Sequence, residues 1–478
     1  MPYPIEFREG AAQVMTQYIL NRTNPFTLEN QPQAMNNYGS GYNLVVAPFA
    51  VLFGNTLSTH RAVTFAFILF ASLIGSVVIY QIKRDVASAF ACAAFIMIGL
   101  TTRAGIGAFP SAMGTFLFLI ALALPFLKAF HPASLGFSIL FSIAAFYSKP
   151  YFVLAFAIVA SYVFLFVSKK TGLLYGLAFL ILFVVSFLAV RLAFPLYFIN
   201  VIIGNISNAE RSAAHLLSQL VQLAIYFFPV LFSLLVLRIM EQGSSGYRAI
   251  PAFNVQEWEQ PWISVAPDYF LYATVCSLLA FILFLGSHIG SYMNYAYQLV
   301  VPVFFCWFFL KLDHQRKTNF LIGFAVVFNL FFWQQDVLPL RILKQSDSEE
   351  WSKLSSYVQS ASQTLNSPVV TSMMVDYGLS PLDSGQTSYY YAIKPYPNFT
   401  LLGPAYDMVE TDGFRYVKFI DNSIKQQTFD LVITTREKST FYHVKLLEDF
   451  YSPVDEIKVD MPQTGQRWSL LLWRPRTR

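Results

Sequence analysis

The residues with most chemistry to offer stand at the start of the chain. Residues 5–10 read IEFREG, so Glu6, Arg8 and Glu9 fall within four positions. A carboxylate can take a proton from an attacking hydroxyl, and a neighbouring guanidinium can keep a carboxylate ionised or bind an anion itself. Glu6 and Glu9 are therefore the candidate general bases, with Glu210 behind them, and Arg8 is a candidate anion ligand. The bland account of the same triplet is a solvated helix start, where acidic side chains suit the helix dipole.

Basic residues supply the complementary chemistry. Lys149 in AAFYSKPYFV and Arg103 in LTTRAGIGAFP each sit at the end of an apolar run. An ionisable group there is costly enough to suggest function, and a phosphate or pyrophosphate is the natural anion. Snorkelling to lipid phosphates is the alternative, preferred for Arg191. The stretch LGSHIGSYMNYAYQLVVP brings His288, Asn294, Tyr295 and Gln298 into another apolar end. Polar groups entering from a glycine-rich bend suit a sugar or phosphate pocket, although a lone histidine is more often structural. Tyr38, in NNYGSGY, is a further candidate substrate contact. No phosphate-cradling glycine loop, HExxH motif, paired-cysteine metal site or nucleotide fingerprint stands out.

The elements that must hold these groups are membrane helices. Of 478 residues 55% are hydrophobic and 12% charged, against roughly 25% charged in ordinary globular chains. Apolar runs of spanning length occur near 62–82, 86–101, 110–127, 132–148, 150–168, 172–194, 220–238, 268–286, 295–311 and 318–337. Cys92, Cys276 and Cys306 lie inside such runs, where thiols pack as small hydrophobes. Ahead of them, residues 6–20 carry apolar side chains at helical spacing, predicting an amphipathic helix along the membrane surface. NNYGSGYNLVVAPFAVLFG predicts a short helix dipping into the interface.

Loop charge sets the expected orientation. Lys83, Arg84, Lys128, Lys169, Lys170, Arg238, Arg248, Lys311, Arg316 and Lys317 fall on one side, which reads as cytoplasmic. The opposite side holds single cations, the amino-terminal stretch and the carboxyl-terminal region. Both ends outside calls for a further helix upstream. Three regions follow: an outer first loop with juxtamembrane helices (1–58), a transmembrane domain of about ten helices (59–338) and an extracytoplasmic α/β domain (339–478). In the last, residues 349–365 read as a helix, and SPVVTSMMV, FDLVITT and WSLLLWRP read as strands.

The acidic first loop, the NPF break, NNYGSGYNLVVAPFAVLFG leading to a helix ending YQIKRD, the Lys149-Pro150 pair and the carboxyl-terminal domain together resemble the GT-C glycosyltransferases. The nearest likeness is to the branch containing protein O-mannosyltransferases and lipid A aminoarabinose transferases. It covers about residues 1–340 and is strongest over 4–85. The resemblance implies inverting transfer of a sugar from a polyprenyl-monophosphate donor to a glycan, lipid or protein acceptor on the outer face of a bacterial inner membrane. It puts the acceptor base at Glu6, with Glu9 as the alternative, and Lys149 and Arg103 near the donor phosphate. Relatives commonly carry an Asp-Glu pair where this chain has Ile5-Glu6, and an aspartate where it has Ser111.

The full expectation is a polytopic α-helical GT-C-like membrane enzyme. Glu6 and Glu9 are catalytic; Arg8, Arg103, Lys149 and His288 bind the donor phosphate; Tyr38, Asn294, Tyr295 and Gln298 bind substrate. No cofactor is called for by the motifs, with a divalent ion (Mg or Mn) left open, and the partners are the lipid-linked donor, an acceptor and membrane lipids, not nucleic acid. The rival readings are a transporter or flippase of an anionic substrate, a polyprenyl-diphosphate-dependent polymerase or ligase, and a non-catalytic envelope scaffold. Against the transporter, no internal repeat is visible.

Overall fold

The computed structural model describes residues 3–6, 8–101, 106–207, 211–242, 268–288, 294–312, 322–323, 325–326, 345–384, 387, 406–435, 445–461 and 466–476. Its larger part is a helical bundle. Two short helices, α1 (Glu9–Leu20) and α2 (Gly41–Phe53), precede α3 (Leu57–Lys83), α4 (Val86–Thr101), α5 (Ser111–Leu127) and α6 (Pro132–Ser148). A 3-10 turn, α7 (Leu154–Tyr162) and a π turn together make one apolar rod over Pro150–Val167. The bundle continues with α8 (Lys169–Ala193), the short α9 (Gly204–Ser207), α10 (Ala213–Gln242), α11 (Tyr269–Ala280), α12 (Asn294–Leu299) and α13 (Val301–Lys311).

Three of these rods, Leu57–Lys83, Pro150–Val167 and Lys169–Ala193, are long and apolar enough to cross a bilayer. The others expected to span are apolar but shorter over the residues whose side chains are described, α10 counting there only as Ala213–Phe228, and the run at 318–337 lies outside the described residues except at four positions. At the centre α3 packs on α4, α5 and α13. Gly75 on α3 makes this possible, because a Cβ there would meet Ile96 at 2.3 Å. On the periphery, α8 exposes Leu173, Leu177, Leu180, Ile181, Leu188 and Leu192. A helix apolar all round with one side uncovered is what a lipid-facing position requires.

The rest is a small sheet flanked by helices. Strands β1 (Thr364–Leu365), β2 (Leu431–Thr435), β3 (Tyr451–Met461) and β4 (Gln466–Pro475) lie in the order β1-β2-β4-β3. β1 runs parallel to β2, and β4 runs antiparallel to both its neighbours. Alternation along β2 sends Leu431 and Ile433 to one face, under α14 (Gln345–Ser360), and Val432 to the other, under α16 (Tyr406–Lys425) and α17 (Lys445–Phe450). α15 (Thr371–Asp376) completes the set.

Two local expectations are corrected here. SPVVTSMMV is not a strand: Ser367 caps a 3-10 turn with Pro368 at its first position, which runs into α15. Proline at N1 behind a serine cap is a helix start. α1 does not lie on a surface either. Residues Glu9–Thr16 are all buried, because α1 is held between α2 and α15. Its polar side finds partners there: Gln13 donates to Asp376 Oδ1 (2.8 Å) and to the Asn55 carbonyl (3.0 Å), and Asn43 donates to Thr16 Oγ1 (3.0 Å).

Candidate active site

The two opening glutamates are both buried, but their surroundings differ. Glu9, the first residue of α1, is saturated. Its Oε1 accepts from Arg61 Nε (2.9 Å) and the Ala108 amide (2.8 Å); its Oε2 accepts from Arg61 Nη2 (2.6 Å), the Ile5 amide (2.7 Å) and, longer, the Glu6 amide (3.4 Å). A carboxylate offers about four lone-pair sites, so Glu9 has none left for a substrate. Arg61 itself reaches further, to the Tyr3 carbonyl (2.9 Å).

Among the described residues Glu6 is held by one, Arg8. Arg8 donates from Nε to Oε1 (2.5 Å) and from its backbone amide to Oε2 (2.9 Å). Acceptor capacity therefore remains. Burial pushes the Glu6 carboxyl above its ordinary pKa, with the Arg8 charge and hydrogen bonds opposing the rise. A buried carboxylate with spare lone pairs and a raised pKa is suited to accept a proton from a hydroxyl.

From Arg8 the contacts lead on to Lys149. Arg8 Nη1 donates to the Tyr38 hydroxyl (3.2 Å), and its guanidinium lies 6.0 Å from the Phe109 ring centre. Lys149 also faces Tyr38: its Nζ is 4.6 Å from the ring centre, 5.2 Å from that of Tyr295 and 5.9 Å from that of Tyr151. Tyr151 in turn donates to Gln298 Oε1. Among the described residues no carboxylate lies within ion-pair distance of Lys149. Burial, with the Arg8 charge nearby, pushes the Lys149 ammonium down to about 7, and an anion entering among these π surfaces would favour its charged form.

Local sequence explains why Lys149 turns inward. Pro150 disfavours helical geometry at the residue before it, and Lys149 is extended (φ −150°, ψ 133°), ending α6. Gly39 brings Tyr38 over this break: a Cβ there would stand 1.8 Å from the Tyr147 carbonyl oxygen, so only glycine lets the loop pass. Gly114 on α5 similarly admits the Phe152 ring, 2.2 Å from where its Cβ would be.

Of the residues expected from sequence, Glu6, Arg8, Tyr38, Lys149, Tyr295 and Gln298 are thus brought into one continuous set. Glu9 adjoins it through the backbone. Asn294 opens α12, and its side chain is outside the described residues, as are Arg103 and Glu210. His288 has a different setting, on the turn after α11, where its backbone pairs with Arg211. Ser111 is the first residue of α5. Sequence reasoning missed Arg61 and Tyr151. Arg61 carried a usable signal, a lone cation entering an apolar helix. Among the described residues no three His, Cys, Asp or Glu side chains gather as a metal site.

The frame that holds this set is a GT-C-like one: a polytopic α-helical membrane protein with a small carboxyl-terminal sheet domain. Two solved structures share it. ArnT from Cupriavidus metallidurans bound to undecaprenyl phosphate matches over 98% of this chain and 94% of its own, with TM-score 0.54 and 12% identity. The same protein in the apo state matches over the same shares with TM-score 0.55 and 12% identity. No protein-family model and no curated protein matches the chain.

Proposed function

We propose that this chain is an integral-membrane glycosyltransferase that moves a sugar from a polyprenyl-monophosphate carrier to an acceptor hydroxyl on the extracytoplasmic face, with inversion. The observation that carries the reading is the contact path Glu6–Arg8–Tyr38–Lys149, which sets a buried carboxylate and a buried cation on either side of one tyrosine. The fold supports it, since the matched ArnT binds undecaprenyl phosphate.

In this mechanism the acceptor hydroxyl donates to Glu6, which takes its proton as the oxygen attacks the anomeric carbon. The bond from that carbon to the carrier phosphate breaks, and the phosphate leaves with both electrons. Lys149 and Arg8 stabilise the charge it gains, and a single displacement inverts the centre. Glu9, with no free lone pair, holds the loop. Tyr38, Tyr295, Gln298 and Asn294 line the sugar, and Arg103 is a further phosphate ligand. The charge bias of the loops supports an extracytoplasmic site and carboxyl-terminal domain.

The test is mass spectrometry of membrane lipids from cells with and without the gene. A carrier monophosphate bearing one sugar should accumulate on deletion and fall again on complementation with wild type, but not with Glu6→Gln. An unchanged carrier pool with a glycan or solute misplaced across the membrane would overturn the reading in favour of a transporter.

A further inference from the structure

We infer that Trp351, in the carboxyl-terminal domain, is a positioning residue for the Glu6 carboxylate and acts through Tyr3. The inference rests on Glu6 being the base in the transfer proposed above. Glu6 sits in a segment whose described residues, Tyr3–Glu6 and Arg8, lie outside any helix or strand before α1 begins at Glu9. Such a segment holds one position only if something outside it supplies the anchors.

Three anchors are present, and they are linked. The Glu9 carboxylate takes the Ile5 and Glu6 amides. Arg61, from α3, grips both oxygens of that carboxylate and also the Tyr3 carbonyl. The Tyr3 ring then lies flat on the Trp351 indole, with centroids 5.1 Å apart and planes 11° from parallel.

Trp351 is a rigid base for that ring. It is fully buried in the core formed with Val369, Val370, Ile457 and Leu470. Its helix α14 is tied to strand β3 by Lys353–Asp455 (2.7 Å) and by the Tyr357 hydroxyl donating to Asp455 (3.0 Å). Stacked aromatic pairs prefer a defined geometry, so the indole fixes where the Tyr3 backbone lies. The Tyr3 carbonyl then fixes one end of Arg61, and through Glu9 the amide of Glu6. The carboxyl-terminal domain thereby sets how deep the base is buried and how it meets Arg8. Without the indole, the segment relaxes outward and Glu6 becomes better solvated.

The experiment uses the full chain in lipid nanodiscs and compares Trp351→Ala, Trp351→Phe, Tyr3→Ala and Val358→Ala. Val358 is fully buried two turns further along α14 in the same core, and Val358→Ala loosens that core without touching the stack. Trp351→Ala and Tyr3→Ala should each lower kcat about 10- to 100-fold, as misplacement of about 1 Å does, with KM for donor within about twofold. Both should move the acid limb of the rate profile to lower pH and speed hydrogen exchange at the Ile5 and Glu6 amides. The double variant should be no worse than either single one, Trp351→Phe should restore most of the rate, and Val358→Ala should behave as wild type. Equal effects of Val358→Ala and Trp351→Ala, or an unmoved acid limb and unchanged exchange in Trp351→Ala, would overturn the inference. If Trp351→Ala does not fold, Tyr3→Ala removes the same stack from outside the core and decides alone. If wild type transfers no sugar, the transferase reading fails by itself, and exchange at Ile5 and Glu6 still decides whether Trp351 holds the segment.

Discussion

The two glutamates at the start of the chain should respond oppositely to one isosteric change. Glu6→Gln keeps the shape and removes the charge that accepts the proton. Glu6 is bound by Arg8 alone among the described residues, against five donors on Glu9, and Arg8 also donates to Tyr38, so the guanidinium is not stranded. The fold should survive. The loss falls on the chemistry, where removing a general base costs about 10²- to 10⁴-fold in rate, equivalent to about 3–5 kcal/mol of barrier.

Glu9→Gln should do the reverse. The Glu9–Arg61 pair is buried, with Glu9 fully inaccessible and Arg61 11% exposed. An amide would put an NH2 where Glu9 now accepts from Arg61 and from the Ala108 amide or the Ile5 amide, so two donors would face each other whichever way it turned. Breaking a buried ion pair by removing one partner costs about 3–5 kcal/mol. The thermal midpoint of purified protein in detergent should fall clearly for Glu9→Gln and hardly move for Glu6→Gln, while sugar transfer per folded molecule should be nearly abolished in Glu6→Gln. Full turnover in Glu6→Gln, or a Glu9→Gln protein as stable as wild type, refutes the division of roles.

Lys149→Met should leave the fold intact, since the methionine keeps contact with the Tyr38, Tyr151 and Tyr295 rings, and should lower kcat about 10²- to 10³-fold through loss of leaving-group stabilisation; steady-state transfer assays check it. The acid limb of kcat/KM should lie above the ordinary carboxylate range of about 4.3, because burial raises Glu6 and only the ionised form accepts a proton, so activity is lost as pH falls through that raised value. Arg8→Gln should move the limb higher still, because the Arg8 charge is the main influence opposing burial; a pH–rate profile of the two proteins reads both effects.

How far the sequence led is clearest residue by residue. The apolar runs foretold the helices, because spanning length and composition are local properties. Lys149 was legible as a candidate for the same reason: an ionisable side chain against a proline in an apolar stretch has few uses. The strand β3 was not. It is an edge strand with Pro453 and a register shift between Pro453 and Asp455, and its acidic stretch YSPVDEIKVDM resembles a loop until β4 is beside it. The choice between Glu6 and Glu9 was illegible in principle. Both are acids in one short stretch, and what separates them is Arg61, more than fifty positions away on α3, and the Ala108 amide, nearly a hundred away.

That separation also explains why the opening segment needs the whole molecule around it. The segment carrying Glu6 makes few contacts of its own, yet it is reached from α3 by Arg61, from the loop before α5 by the Ala108 amide and Phe109, and from the carboxyl-terminal domain by Trp351. Arg61 and Trp351 belong to elements fixed by large apolar cores, and Ala108 belongs to a smaller one. A base with a raised pKa is costly to keep buried, and a short segment cannot meet that cost through its own backbone. Five donors converge on the neighbouring Glu9 carboxylate and hold the segment in place, while among the described residues Glu6 has a single partner and keeps the capacity to bind another.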